Sequence, residues 1–511
     1  MMTSTTVPTA KEASPWVALW TLCLGFFMIL VDTTIVAVAQ PAILAGLQTD
    51  ISNVIWVTSA YLLAYAVPLL VTGRLGDRFG PKNLYIAGLV VFTLASLWCG
   101  VSGSIEMLIA ARAVQGLGAA MITPQTMAVI TRIFPKDKRG AAMGAWGAVA
   151  GVATLVGPLL GGVLVDAFGW EWIFFINLPV GVVAIALAVK FVPTLPTNEH
   201  KFDIPGVVLS AVGLFFIVFG LQEGQKYDWN GWIWTSIGAG IVVFAAFIVW
   251  QSRNRNEPLV PLGLFRDRNF SLSTIGIAAM GFAMTGMMLP IMFYAQSVTG
   301  LTPTRSALLF VPMAVLTGVL APNVGRLVDR VHPRYIAGSG LTLLTVALVW
   351  LAMEMTPTAS IVRLLMPIAL MGVANALIWS PLGATATRNL PMSQAGAGSG
   401  VYNTMRMVGS VLGSAGIGVL MQSRISAEVP FAGAAGASAE LSAGRIPAEV
   451  AAPFATALGQ SLYLPAAVLL IGAVATAFYA RPSFGGAPVV DKPVASREAE
   501  PAVPVGTTPV S

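Results

Sequence analysis

Asp32, Arg112 and Arg406 stand well inside long apolar runs: Asp32 in Val17–Ala39, Arg112 in Met107–Ile130 and Arg406 in Val401–Met421. A charge at such a position costs about 3 kcal/mol on insertion scales and marks function by default. Asp32 is the only carboxylate so placed, since Glu106, Glu223 and Glu354 lie near the ends of runs. Burial favours the protonated form of a carboxyl group and a neighbouring cation favours the charged form. A carboxylate of this kind can therefore take up a proton or release it according to its company. Arg112 is permanently charged and needs acceptors. One expectation is that Asp32 and Arg112 lie within electrostatic reach; the other is that Arg112 serves packing by bonding backbone carbonyls. Bond-breaking chemistry has little support. The chain lacks the phosphate-binding pattern G-x-x-x-x-G-K-[ST]. Its two histidines, His200 and His332, lie in loops far apart, so neither a metal site nor a cofactor is expected.

The elements that must hold these charges are membrane helices. The chain is 56% hydrophobic and 10% charged, where a soluble protein carries about 25% charged residues. Fourteen apolar runs of spanning length can be read: Val17–Ala39, Val54–Gly73, Asn83–Ser102, Met107–Ile130, Ala141–Val165, Trp172–Phe191, Ile204–Leu221, Ile233–Trp250, Phe270–Tyr294, Ser306–Leu327, Tyr335–Met353, Ile361–Thr385, Val401–Met421 and Leu458–Ala480. Pro367 and Pro381 interrupt the twelfth. An even number of spans puts both termini on one side. With the termini inside, Lys and Arg gather in the cytoplasmic loops and tails. Outside lie only Lys226, Arg305, Arg363, Arg424 and Arg445, as the positive-inside rule requires. The expected site is thus the plasma (inner) membrane. The net charge of +6 follows from this bias, and scattered basic residues give no reason to expect nucleic acid. Cys23 and Cys99 both lie inside runs, so no disulfide framework is expected.

A loop sequence occurs twice. GRLGDRFGPK (Gly73 to Lys82) returns as GRLVDRVHPR (Gly325 to Arg334), each followed by YIAG. Both copies come after the second span of a half, which indicates duplication around a central site. The expected fold is an all-α integral membrane protein of 14 transmembrane helices: two pseudo-symmetric six-helix bundles plus two linker helices. The divisions are a cytoplasmic tail 1–15, a bundle 16–191, two extra helices within 192–256, a bundle 257–480 with an external loop 422–457, and a disordered tail 481–511. The extra helices, free of charge in their apolar stretches, read as lipid-facing additions. Trp229, Trp232 and Trp234 sit at the outer end of the second, where aromatic rings favour the interface.

Several motifs over residues 16–480 together resemble the fourteen-span drug:proton antiporters of the major facilitator superfamily. Gly73, Asp77, Arg78, Gly80 and Lys82 match the family's loop pattern G-x-L-x-D-R-x-G-x-K, with Pro81 departing from it. The second copy, with Asp329 and Arg330, is a weaker match because His332 replaces the glycine. The resemblance implies a gating loop that latches the halves. DTTIVAVAQP (Asp32 to Pro41) resembles a first-helix signature, with Ala37 and Gln40 departing. Arg112, Gln115 and Gly116 resemble an intramembrane Arg motif. Gly157, Pro158, Gly161 and Gly162 match the antiporter motif, which implies export. GWEWIFFINLPVG (Gly169 to Gly181), with Asn177, resembles a signature of the fourteen-span branch, and its plain role is interfacial anchoring.

Met280, Met284, Met287, Met288 and Met292 form a stripe that, with Phe293 and Tyr294, suits contact with varied apolar shapes. Arg406 joins them as a substrate-side candidate, set before Gly409, Gly413, Gly416 and Gly418. The resulting expectation is exchange of external protons for a cytoplasmic, amphiphilic, often cationic small molecule, with proton coupling at Asp32 and Arg112. The expected partners are that molecule, protons and the lipid bilayer, with no nucleic acid and no obligate protein. The alternatives are export of an endogenous metabolite, lipid or siderophore on the same fold, and a non-transporting receptor.

Overall fold

The computed structural model describes residues 14–197, 203–224, 226–254, 258–328, 331–388, 390, 395–429 and 448–480. The expected tail after Arg481 lies outside them. Among the described residues every regular element is helical: α1 (Pro15–Gly46), α2 (Ile51–Ala66), α3 (Leu69–Phe79), α4 (Pro81–Gly100), α5 (Ile105–Ile133), α6 (Lys136–Phe168), α7 (Trp172–Phe175), α8 (Asn177–Phe191), α9 (Ile204–Glu223), α10 (Gly231–Arg253), α11 (Arg268–Phe293), α12 (Pro303–Leu308), α13 (Val311–Val328), α14 (Pro333–Glu354), α15 (Ile361–Arg388), α16 (Ala395–Glu428), α17 (Ala448–Ser461) and α18 (Tyr463–Ala477). Their starts follow local chemistry. Asp50, Ser104, Asp203, Asn230, Asp267 and Thr302 each accept from a backbone N–H three residues on, and Pro15, Pro81 and Pro333 occupy first turns.

Among the described residues twelve stretches are long and apolar enough to cross a membrane. The two other expected runs fall on helices that break or are only partly described. Val54–Gly73 is divided between α2 and α3 at Val67–Pro68, because proline has no N–H to continue the ladder. Ala141–Val165 lies within α6, whose described apolar portion is Val156–Phe168. Pro367 and Pro381, in contrast, are carried inside the single helix α15. The expected external loop 422–457 is largely helical where described. α16 continues to Glu428 and α17 begins at Ala448, since alanine-rich sequence is a strong helix former. The last span accordingly starts near Val450 rather than Leu458.

The described residues through Tyr479 form one compact unit. α1 packs on α6 and α8, α2 on α5, and α4 on α5; α11 packs on α16 and α18, and α14 on α15 and α18. Contacts between these two sets are reciprocal: α2 meets α16, α6 meets α12 and α13, and α1 meets α11. α9 and α10 pack on each other and leave most of their surface open. Trp232 and Trp234 are exposed at their turn. The start of α9 is tied down by Asp203, which accepts from Trp250 Nε1 (2.7 Å), Gln251 Nε2 (2.6 Å) and two backbone N–H groups. Burial alone would push this carboxyl up, but the donors outweigh it and hold it below the usual range.

α9 is more than a lipid-facing addition at its other end. Gln222 Nε2 donates to Ser59 Oγ of α2 (2.7 Å), and Ser59 Oγ donates to Ser414 Oγ of α16 (2.7 Å). Glu223 accepts from Trp56 Nε1 at 2.7 Å. The end of α9 therefore braces the seam where α2 meets α16. Gln222→Leu is expected to weaken that seam by about 1 kcal/mol. The readout is faster maleimide labelling of a cysteine placed at Ile55, which packs against Gly418. Unchanged labelling would remove Gln222 from the brace.

Candidate functional site

Asp32 on α1 and Arg112 on α5 meet directly, with Arg112 Nη1 donating to Asp32 Oδ2 at 2.6 Å. Both are sealed from solvent, at 0% and 1% exposure. Gln115, one turn after Arg112 and on the same face, accepts from Arg112 Nη1 (2.6 Å) and donates to Asp32 Oδ1 (2.9 Å). Asn177 Nδ2, at the start of α8, also donates to Asp32 Oδ1 at 2.9 Å. Ser96 Oγ on α4 accepts from both amides, at 2.7 Å from Gln115 and 2.9 Å from Asn177. Arg112 Nε reaches the Val57 carbonyl at 3.2 Å, and its guanidinium lies 4.0 Å from the Tyr61 ring centroid. Both expected uses of Arg112, the carboxylate and a backbone carbonyl, thus occur together.

Five helices contribute to this cluster. A buried ion pair breaks even only when further hydrogen bonds support it, and here Gln115, Asn177 and the Val57 carbonyl supply them. Asp32 Oδ1 accepts two N–H donors and Oδ2 one. Protonation would strip Arg112 of its counter-charge in a sealed interior.

Asn177, expected to serve interfacial anchoring, is 2% exposed and part of the cluster. Ser96 and Tyr61 were not singled out from sequence. An amide or hydroxyl inside an apolar run was the available signal, but it names no partner.

The glycine motif adjoins the cluster. A Cβ at Gly157 would run into Thr34, and one at Gly161 would lie 2.7 Å from Ile35 Cγ1, both on α1 just beyond Asp32. Gly162 faces the other set of helices: its Cβ would lie 2.6 Å from Thr304 Cα. Asp166 Oδ2 accepts from Thr304 N at 2.9 Å and Gln296 Nε2 donates to Val38 O at 2.9 Å. Close approach of α6 to α1 and of α6 to α12 thus depends on missing side chains. Pro158 is buried inside α6.

At the opposite end of the helices, Gly80 joins α3 to α4 with φ +91°, a conformation that favours glycine. Lys82 Nζ donates to the Val189 carbonyl near the end of α8 (2.8 Å), and the Arg78 guanidinium lies 5.5 Å from the Phe79 ring. Gly73 packs near Pro124. In the second copy His332 has φ −58° and caps α14 by accepting the Arg334 N–H on Nδ1 (3.2 Å). A side-chain cap there replaces the left-handed glycine. The Asp77 side chain and residues Asp329 and Arg330 lie outside the described structure.

The methionine stripe divides. Met280, Met287 and Met292 are fully buried in the core with Phe293 and Tyr294, whose Oη donates to the Thr356 carbonyl at 2.7 Å. Met284 and Met288, one turn apart, are half-buried, and Met284 Sδ lies 3.9 Å from Asn375 Nδ2. Arg406 is half-buried on α16, its guanidinium 6.0 Å from the Trp379 ring.

Comparison with known proteins places this architecture. The family model of the Major Facilitator Superfamily matches residues 22–414. An uncharacterized MFS-type transporter of Mycobacterium tuberculosis is 55% identical over 94% of this chain and 83% of its own length. The tetracenomycin C resistance and export protein of Streptomyces glaucescens is 33% identical over 81% of this chain and 78% of its own. A solved structure of a bacterial homolog to the human lysosomal transporter Spinster, inward-facing, superposes with a TM-score of 0.60 at 17% identity. It covers 90% of this chain and 96% of that one. The chain belongs to the Major Facilitator Superfamily, as a multi-pass membrane transporter and not an enzyme.

Proposed function

We propose that this transporter exports amphiphilic compounds from the cytoplasm across the plasma membrane in exchange for protons, by alternating access between two six-helix bundles. In this reading α2 with α3, and α6, also cross the membrane, which makes fourteen spans with α9 and α10 between the bundles. Both termini lie in the cytoplasm. The observation that carries it is the sealed Asp32–Arg112 pair, a protonatable group whose charge state is tied to the packing of α1, α4, α5 and α8. The drug-export name of one relative supports the direction and the cargo.

The geometry suggests how a proton is felt at a distance. Protonation of Asp32 frees α1 from α5 and α8. One turn further, α1 presents Thr34 and Ile35 to Gly157 and Gly161 of α6. α6 in turn closes on Thr304 through Gly162. A shift of α1 is thereby delivered to the contact between the bundles at the outer end. The loop around Gly80 stands at the cytoplasmic end and latches the opposite state.

Substrate-induced proton release from the purified protein is the direct test. Release on adding an exported dye, absent in Asp32→Asn, is the expected result. No release from the unaltered chain with any transported compound would end the antiport reading. For the latch, Asp77→Asn is expected to slow turnover several-fold with little change in substrate affinity. A loss confined to affinity would contradict it.

A further inference from the structure

We propose that the preferred cargo is an aromatic acid, and that Arg406 receives its negative charge; this rests on the exporter reading above and names the substrate class of that transporter. Arg112 and Arg406 are both permanently charged and both inside spans, yet they are treated differently. Arg112 has a carboxylate, an amide oxygen, a backbone carbonyl and a ring. Among the described residues no carboxylate pairs with the Arg406 guanidinium and no acceptor hydrogen-bonds it. Its surroundings are the Trp379 ring at 6.0 Å and the phenols of Tyr65 and Tyr402 within electrostatic reach. A guanidinium inside a membrane protein without a counter-charge is costly, and a ligand that brings one relieves the cost.

The neighbouring polar atoms are also unspent. Tyr402 Oη, one turn before Arg406 on α16, is buried without a hydrogen-bond partner, and so is Asn375 Oδ1, one turn before Trp379 on α15. Tyr65, from α2 of the first half, keeps its Oη on Thr123 at 2.8 Å. Neither side chain is sealed: Arg406 is half-buried, and Trp379 is 42% exposed. Arg406 lies two turns along α16 from Ser414, about 12 Å, on the side away from the outer seam. Both halves therefore border it, as a site for alternating access requires. Guanidinium binds carboxylate through two parallel N–H bonds, and an aromatic body can lie against Trp379.

Among the described residues the carboxylates buried within spans are already held. Asp32 is committed to Arg112, Gln115 and Asn177, and Glu223 to Trp56. The cationic cargo expected from sequence would meet Arg406 as a like charge.

Three probes of one shape test this: 2-naphthoate, 2-naphthylmethanol and 2-naphthylmethylammonium, titrated into the purified full chain by calorimetry. The anion is expected to bind about tenfold or more tighter than the alcohol, and the cation no tighter than the alcohol. Arg406→Gln removes the anion's advantage, and Arg406→Lys keeps part of it. Trp379→Leu weakens all three together and leaves the ranking. Equal binding of the three probes, or an anion preference that survives Arg406→Gln, overturns the proposal. Should Arg406→Gln not fold, Arg406→Lys and the probe ranking on the unaltered chain decide it. Flux in proteoliposomes reads the exporter proposal separately. Proton-driven flux of the cation with no binding of the anion overturns only the aromatic-acid assignment. Anion binding with no response of any flux to a pH gradient overturns only the proton coupling.

Discussion

Asp32→Asn is expected to abolish proton-driven efflux in everted vesicles while substrate still equilibrates across the membrane. The substitution keeps the shape of the side chain and one oxygen for Arg112, but removes the carboxylate proposed as the proton site. One proton falling through 100 mV is worth about 2.3 kcal/mol, and a pH unit adds about 1.4 kcal/mol. Together they sustain a gradient of roughly a few hundred-fold for a neutral substrate. Without a titrating group that gradient collapses to unity. The variant also leaves Arg112 without its counter-charge, which costs up to about 3–5 kcal/mol for a broken buried pair. The Val57 carbonyl and the Tyr61 ring remain to it, so a lowered melting temperature with a retained fold is expected. Vesicles in which the variant still concentrates substrate in response to pH would remove Asp32 from the proton path.

The membrane architecture was legible because bilayer thickness imposes its own length on the sequence. Runs of about 20 apolar residues cannot be confused with soluble helices. Asp32 and Arg112 were legible for a related reason, since a charge in such a run is conspicuous. Their partners were not. Asn177 sits in a segment rich in aromatic residues and reads as an interfacial anchor, and only the fold brings it 145 residues back to Asp32. Ser96 is one hydroxyl among several in its run. α9 reads as lipid-facing because its apolar stretch has no charge, yet the residues that brace the seam, Gln222 and Glu223, lie just past that stretch. The methionines were read as one face. Helical geometry instead turns Met280 and Met287 into the core and leaves Met284 and Met288 half-buried, so hydrophobic spacing alone did not separate packing from lining.

Removing the arginine alone should be more damaging to the fold than removing the pair. Arg112→Met leaves the Asp32 carboxylate with only Gln115 and Asn177 in a sealed site, and a cost of about 3–5 kcal/mol is expected. The loss reads as a large fall in melting temperature, or as failure to reach the membrane. Adding Asp32→Leu to Arg112→Met takes away both charges and should restore most of that stability, because the desolvation cost goes with them. Residues in contact depart from additivity in this way, and a cycle of the two single variants and the double one measures the coupling. Transport separates the readings that stability leaves together. If the pair served packing alone, the restored double variant would again drive efflux with a pH gradient. If the pair is the proton site, the double variant folds, reaches the membrane and moves substrate only downhill. A stable, uncoupled double variant is the expected result, because a leucine at position 32 can fill the space but has no proton to give up.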